Sequence, residues 1–363
     1  MSSPPYDFAL VGAGMAGASL AAALAASGAR VLVLEAEAAP GYHATGRSAA
    51  FWTESYGGPG VQPLTTASGP DLAAGGYLTP RGALTIARAG QEEALDAFAD
   101  RFAALGVRVE RLGRAELEGR VPGLRPGWIA AAQEPDCRDI DVGRLHQDYL
   151  AAARGAGAEL WTRARLAAAE GTGSGWALAM ADGRTAKAAI LVNAAGAWAD
   201  EVARLAGARP IGLQPYRRTV VQLRTAPAPS AELPLVLDLA ERFYFKPQSG
   251  RLWLSPHDET PSRPCDAAPE EVDVATAIAR LEQVVEWRVE RVEHRWAGLR
   301  SFALDRLPVY GSAPDCPRLF WFAGQGGFGI QTAPAAARLA AALLVPGRDS
   351  PVDPAPYSPA RFG

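Results

Sequence analysis

The chain has 363 residues, 48% hydrophobic and 21% charged, with a formal net charge of −3. That is enough for two domains and a sizeable core, and a charge this near balance, with no basic stripe, gives no reason to expect nucleic acid as a partner. Three scattered cysteines and four widely separated histidines argue against a disulfide framework and against a metal site.

Residues 8–26 are nearly all apolar or small, yet no Lys or Arg precedes them and the run breaks at Gly12-Ala13-Gly14. A signal peptide needs a basic start, so the expectation is a soluble protein with no integral membrane segment. The pattern predicts a buried strand over 8–11, a glycine turn, and an alanine-rich helix over 15–27 stopped by Gly28. Val31 to Leu34 predicts a second buried strand, closed by Glu35. Such a strand-helix-strand unit leads to a parallel sheet.

Gly12-Ala13-Gly14-Met15-Ala16-Gly17 has the G-x-G-x-x-G spacing. The first glycine makes the turn, the second lets backbone approach a pyrophosphate, and the third lets helix and strand touch. The helix N-terminus favours the phosphates, and Glu35 at the end of the next strand can take ribose hydroxyls. The context of strand, helix and acid makes this a dinucleotide site.

Farther on, 188–192 reads as a buried strand ending at Asn193-Ala194-Ala195-Gly196. Residues 219–223 are β-rich. Residues 242–246 and 251–254 alternate around Gln248-Ser249-Gly250, which is hairpin chemistry, and 271–285 reads as helical. A last buried strand over 319–323 runs into Gly324-Gln325-Gly326-Gly327-Phe328-Gly329 and a helix over 332–344, which Gly326-Gly327 is expected to open. The Pro-rich stretch beyond Pro346 is expected to be loosely ordered. Together these predict an α/β fold: a Rossmann-like cofactor domain from 1–80, 140–205 and 300–346, an inserted, mostly antiparallel β-rich substrate domain from 81–139 and 206–299, and a tail over 347–363. Two glycine turns far downstream of the first suit a ligand longer than a nicotinamide dinucleotide, crossing the whole domain.

Four segments carry a resemblance: Gly46-Arg47-Ser48-Ala49-Ala50, Leu191 to Trp198, Trp296-Ala297-Gly298-Leu299-Arg300-Ser301, and Gln325 to Thr332. On these words the chain resembles the flavin-dependent amine oxidoreductases: D-amino-acid oxidases, glycine and sarcosine oxidases and D-amino-acid dehydrogenases, above all those of the D-arginine type. The resemblance implies FAD, held non-covalently, since no cysteine follows Arg300 where sarcosine-oxidase relatives attach theirs. It implies cofactor contacts at Gly12, Gly14, Met15, Ala16, Gly17, Glu35, Ala36, Thr45, Gly46, Arg47, Ser48, Ala49, Ala50, Ala194, Ala195, Gly196, Trp198, Gly298, Arg300, Gly326, Gly327, Phe328, Gly329, Ile330 and Gln331. Arg47 and Ser48 are expected to reach the flavin's phosphate or ring edge, a surface arginine being the alternative. Gly327, at a helix N-terminus, is expected to face the flavin edge that becomes negative on reduction.

An amino-acid substrate needs its carboxylate held, and arginine does so with two prongs. The resemblance gives this task to Arg218 and Arg300, a phenol donor to Tyr244, and a covering loop to Tyr56. Arg217 beside Arg218 leaves the register there open, and surface ion pairing or core packing remain the alternatives for these residues. Two departures bear on the substrate. Relatives that take cationic substrates carry a glutamate shortly after a Pro-Arg pair, where Pro80-Arg81-Gly82 is followed here by Ala83, and a histidine where this chain has Phe51. An apolar pocket of Phe51, Trp52, Ala83, Leu235 and Leu237 is expected, with Glu54 the acid that would undercut it. A buried guanidinium would lack its partner there, so the expected substrate is a neutral hydrophobic D-amino acid, oxidised by hydride transfer to flavin. A secondary amine or 2-hydroxy acid as substrate, and a flavin protein without catalysis, stay open. So do the electron acceptor (quinone, dye or oxygen) and, beside a cytoplasmic location, peripheral attachment to the inner membrane.

Overall fold

The computed structural model describes residues 6–362. Strand Tyr6–Val11 sits mid-sheet, pairing in parallel with Thr185–Asn193 on one side and Val31–Leu34 on the other. Glu159–Trp161 continues in parallel beyond Val31–Leu34. Cys316–Ala323 pairs in parallel with the C-terminal part of Thr185–Asn193, whose N-terminal part pairs antiparallel with Gly175–Met180. Leu166–Thr172 and Val309–Ala313 complete this eight-stranded sheet. Successive strand residues point to opposite faces. Phe8 and Leu10 meet Leu20, Ala21, Leu339 and Ala340 of helices Met15–Ala25 and Ala333–Leu344, while Ala9 and Val11 meet Trp176, Trp321 and Val202. Alanines on these helices let them lie close to the sheet.

The second sheet has nine strands and is built around Gln214–Ala226, which pairs with Arg288–Phe302 from Gln214 opposite Phe302 to Ala226 opposite Arg288. It is mixed, because Leu235–Asp238 runs parallel to Ala83–Arg88. Tyr244–Gln248 and Arg251–Ser255 form the hairpin, with Gln248 opposite Arg251. Its two turn residues, Ser249 and Gly250, have φ of +50° and +73°, the twist that two-residue hairpins favour. Helix Glu271–Glu282 packs Ala277 and Leu281 against Val221, Phe245 and Leu254 of this sheet. A small three-stranded sheet, with Phe51–Trp52 and Leu78–Pro80 both on Arg138–Ile140, lies between the two larger ones in sequence. The fold is thus the Rossmann-like core with a β-rich second region that the sequence predicts.

The C-terminal tail departs from its expectation of loose order. Tyr357 is 2% exposed and donates its hydroxyl to Gly60 O at 2.9 Å. Arg361 pairs with Asp305 and donates to the carbonyls of Leu307 and Pro308. Proline lowers the entropy lost on ordering, so a few anchors suffice to dock a segment whose composition alone suggests a free end. Among the described residues, no helix is long and apolar enough to cross a membrane.

Candidate active site

The glycine turn shows a separate reason for each glycine. Gly12 has φ +103°, and a Cβ there would stand 2.5 Å from Ala194 O. A Cβ on Gly17 would stand 1.8 Å from Gly12 O, so the third glycine permits helix and strand to touch. Gly14 meets only Thr45 Oγ1, at 3.2 Å, and faces a groove. Backbone donors fix the acid at the next strand end: Ala13 N donates to Glu35 Oε2 at 2.9 Å and Glu37 N to Oε1 at 2.8 Å. His146 supports the turn from behind, its Nε2 donating to Ala13 O at 2.8 Å, and burial lowers its proton affinity.

The groove has a volume of about 260 Å³ and reaches from the glycine turn and Glu35 to Arg300 and Gly327. Of the expected cofactor residues, Gly12, Gly14, Met15, Ala16, Glu35, Ala36, Thr45, Arg47, Ser48, Ala49, Ala195, Gly196, Trp198, Gly298, Arg300, Gly326, Gly327, Gly329 and Ile330 line it. Gly17, Gly46 and Ala194 lie behind the wall as packing: a Cβ on Gly46 would stand 2.8 Å from Gly41 O, and Ala194 is buried in the helix-side core. Ala50 and Gln331 line a smaller adjoining cavity instead, and Phe328 packs on Tyr56. The sequence reading gave no role to His43, Arg165, Cys265 or Ala267, which also line the groove. Arg47 is largely committed within the protein. It pairs with Asp266, donates to Ala267 O and Ala297 O, and stacks over Tyr42, thereby pinning the 265–267 loop across the groove.

Gly326-Gly327 does not open the last helix, which begins only at Ala333. Gly326 has φ +54° and its N–H donates to Ser301 O at 2.9 Å. A residue tied to a strand in the left-handed region cannot start an α-helix, so a turn over 327–332 intervenes. Gly327 serves another purpose. A Cβ there would stand 2.5 Å from Arg300 Nη1, so the missing side chain makes room for the guanidinium.

Around Arg300 lies a cavity of about 30 Å³, walled by Phe51, Tyr56, Tyr244, Ile330 and the small residues Ser48, Ala49, Ala50 and Gly327. Phe51 meets Tyr56 and Tyr244 edge-on, with ring centroids 5.1 and 5.7 Å apart, and the Arg300 guanidinium stands 5.7 Å from the Tyr56 ring centre. Among the described residues, no acidic side chain lines this cavity. Along Gln214–Ala226 the side chains alternate. Arg217 points out to Glu270 and Asp273, while Arg218 points in, 4% exposed, and lines the groove. Arg218 gives Nε to Asp258 O at 2.7 Å and Nη2 to Glu259 at 3.1 Å, leaving Nη1 buried and without a partner among the described residues. Arg300 has no acidic partner within salt-bridge reach there.

Three expected pocket residues stand one layer back. Ala83, Leu235 and Leu237 form an apolar cluster behind Phe51 and Tyr244 and do not reach the cavity. Trp52 is not in the pocket: following Phe51 in a strand, it faces the other way, donating its indole N–H to Thr65 O at 2.9 Å and packing near Leu72 and Ile140. Glu54 also turns away, its carboxylate accepting from Thr66.

Two residues at the site carried no signal in the sequence. His257, in the left-handed region with φ +56°, has Nε2 3.4 Å from the Tyr56 hydroxyl and its ring edge-on to Tyr244. Burial, then the nearby guanidinium charges of Arg218 and Arg300, push its pKa down to about 2, so the imidazole is neutral. Glu134, 4% exposed, faces the turn that carries Tyr56. An isolated histidine and an acid at a strand end resemble ordinary surface residues until the topology brings them inside.

Residues 7–343 match the family of FAD dependent oxidoreductases. The chain belongs to that family. FAD is accordingly the cofactor that the groove takes. The chain is 28% identical over 190 residues to FAD-dependent oxidoreductase domain-containing protein 1 of Bos taurus, covering 48% of this chain and 39% of that protein. It is 30% identical over 174 residues to the glycine oxidase of Pseudomonas aeruginosa, covering 46% and 44%. The matches thus span only about two fifths of these curated relatives. The crystal structure of glycine oxidase from Geobacillus kaustophilus superposes with a TM-score of 0.86 at 26% identity, covering 98% of each chain.

Proposed function

We propose that this FAD-dependent oxidoreductase oxidatively deaminates a neutral, apolar D-amino acid, with its site words nearest to the D-arginine-type dehydrogenases but without their cationic specificity. The observation that carries this is Arg300: a guanidinium with phenols for neighbours, at an aromatic cavity that no acid lines among the described residues. Arg300 and the free Nη1 of Arg218 hold the substrate carboxylate, and the phenols of Tyr56 and Tyr244 close around it. Glu35 and the glycine turn hold the adenosine end of the cofactor. Bound FAD supplies the two-electron acceptor for the hydride leaving Cα; the imino acid then hydrolyses in water to a 2-keto acid and ammonia. The chain's own contribution is positioning and the exclusion of water by Phe51 and the tyrosines. Neutral His257 offers Nε2 as an acceptor beside two cations, so the amine meets no competing positive charge from the imidazole.

The cavity is small. At about 30 Å³ it holds roughly two water-sized occupants, which favours a short side chain, and the likeness to glycine oxidases supports glycine or a small secondary amine as the second reading. Anaerobic flavin bleaching under competition decides between them. D-alanine and D-leucine should reduce the flavin well ahead of D-arginine, because an unpaired guanidinium entering this cavity loses hydration that nothing replaces, at a cost of several kcal/mol. Equal use of D-arginine overturns the neutral-substrate reading. Faster reduction by sarcosine or glycine than by any D-amino acid replaces it with the second reading.

A further inference from the structure

Glu134 closes the strand Trp128–Glu134, in register with Ala83. It is 4% exposed and has no cationic partner among the described residues, yet four donors converge on its carboxylate. Thr53 Oγ1 and Ser55 Oγ donate to Oε2 at 2.6 Å each, Ser55 N donates to the same oxygen at 3.3 Å, and Glu54 N donates to Oε1 at 2.5 Å. All four belong to the turn immediately before Tyr56. A buried carboxylate without a cation is costly, and a strand end needing only packing would carry an apolar residue. On its other side the same turn is held by Gln331, whose Nε2 donates to Tyr56 O at 3.1 Å and whose Oε1 accepts from Thr53 N at 3.4 Å.

We propose that Glu134 is a positioning residue of the substrate site: its carboxylate holds the 53–55 turn and, through it, sets the Tyr56 ring over Arg300. The turn is clamped between a strand of the nine-stranded sheet and the segment that carries Gly327. Tyr56 is therefore fixed relative to both walls of the cavity, and the affinity for a carboxylate at Arg300 depends on a residue that does not touch it. This inference rests on the site reading above, in which Tyr56 and Arg300 form the carboxylate pocket.

Propanoate, a carboxylate with no amine to oxidise, serves as the probe, and calorimetry on the FAD-loaded protein reads its Kd. Glu134→Gln keeps the shape, but its amide nitrogen cannot accept from an N–H or O–H donor. Losing charge-assisted bonds of this kind should weaken propanoate binding by roughly tenfold or more, with flavin content unchanged. Tyr56→Ala should weaken it as well, and in that background Glu134→Gln should add less than roughly twofold, since coupled residues are not additive. Wild-type affinity in Glu134→Gln, or full multiplication of the two effects, overturns the proposal. Unchanged affinity in Tyr56→Ala alone overturns the site reading instead. Should Glu134→Gln fail to fold, Thr53→Val with Ser55→Ala removes the two hydroxyl donors from the turn side and must show the same coupling to Tyr56.

Discussion

Arg300 occupies its place because three neighbours give way or face it: Gly327 has no side chain, and Tyr56 and Tyr244 present rings rather than acids. Arginine at such a site delivers two parallel donors, whereas lysine delivers a point charge. Arg300→Lys should therefore raise KM by at least roughly thirtyfold, the lower end of what truncating a buried charge pair costs, while flavin content stays normal. Steady-state kinetics with the best amino-acid substrate reads this, and an unchanged KM moves the carboxylate to Arg218. Part of this constellation was legible in the sequence, because Arg300 and Gly327 sit inside two of the four matching segments, while Arg218 and Tyr244 rest on the resemblance as a whole. The choice between Arg217 and Arg218 was not, since it depends on strand parity set by the long pairing with Arg288–Phe302. Glu134 and His257 were invisible for a different reason: their meaning lies in contacts to residues about 80 and 200 positions away.

At the scale of elements, the glycine turn and the hairpin were readable because their spacing is local, although Gly12 also answers Ala194, from a distant strand end. Gly17 gives the sharpest case. Its approach to Gly12 O leaves no space for a methyl group, so Gly17→Ala must push helix Met15–Ala25 away from strand Tyr6–Val11 and open the groove at its phosphate end. The expected outcome is purified protein with a small fraction of the wild-type FAD content, measured by absorbance after heat release, and full occupancy would show that the helix can slide without cost. The elements misread from sequence all depend on distant partners. Trp52 was expected in the pocket together with Phe51, although a strand turns successive side chains to opposite faces. The last helix falls where the sequence predicts, but Gly326-Gly327 does not open it, because Gly326 is tied to Ser301, a constraint from another strand.

For the molecule as a whole, two buried histidines set its response to acid. His146, lowered by burial, and His257, pushed down to about 2 by burial and the adjacent arginines, bind fewer protons folded than unfolded. Their contribution is complete above the unfolded value of about 6.5 and is lost as pH falls below it, by at most about 1.4 kcal/mol per pH unit for each. Burial raises the carboxyls of Asp200 and Asp258, which act in the opposite sense nearer their own acidic range. Thermal melts between pH 7.5 and 5 should show stability falling steadily, and the His146→Gln, His257→Gln double variant should show a clearly flatter profile. Parallel slopes would mean that other groups govern the acid limb. The two-sheet architecture was legible from the order of buried strands and alternating ones, while the docked tail was not, because its anchors, Gly60 and Asp305, lie far from it in the chain.

The order of strands in the first sheet also has a consequence for biosynthesis. Cys316–Ala323 is threaded against Thr185–Asn193, and the groove takes walls from residues as far apart as Val11 and Ile330. A ribosome that has made the glycine turn, Glu35 and the whole first strand-helix-strand unit has still made only one wall of the cofactor's berth. FAD cannot be fully enclosed by the growing chain until the lining residues as far as Ile330, of 363, have been made. Until then Phe8, Leu10, Val192 and their neighbours lack the covering of Ala333–Leu344. An apolar sheet face left bare invites aggregation, so growth with ample flavin, which stabilises the completed fold by mass action, favours folded protein.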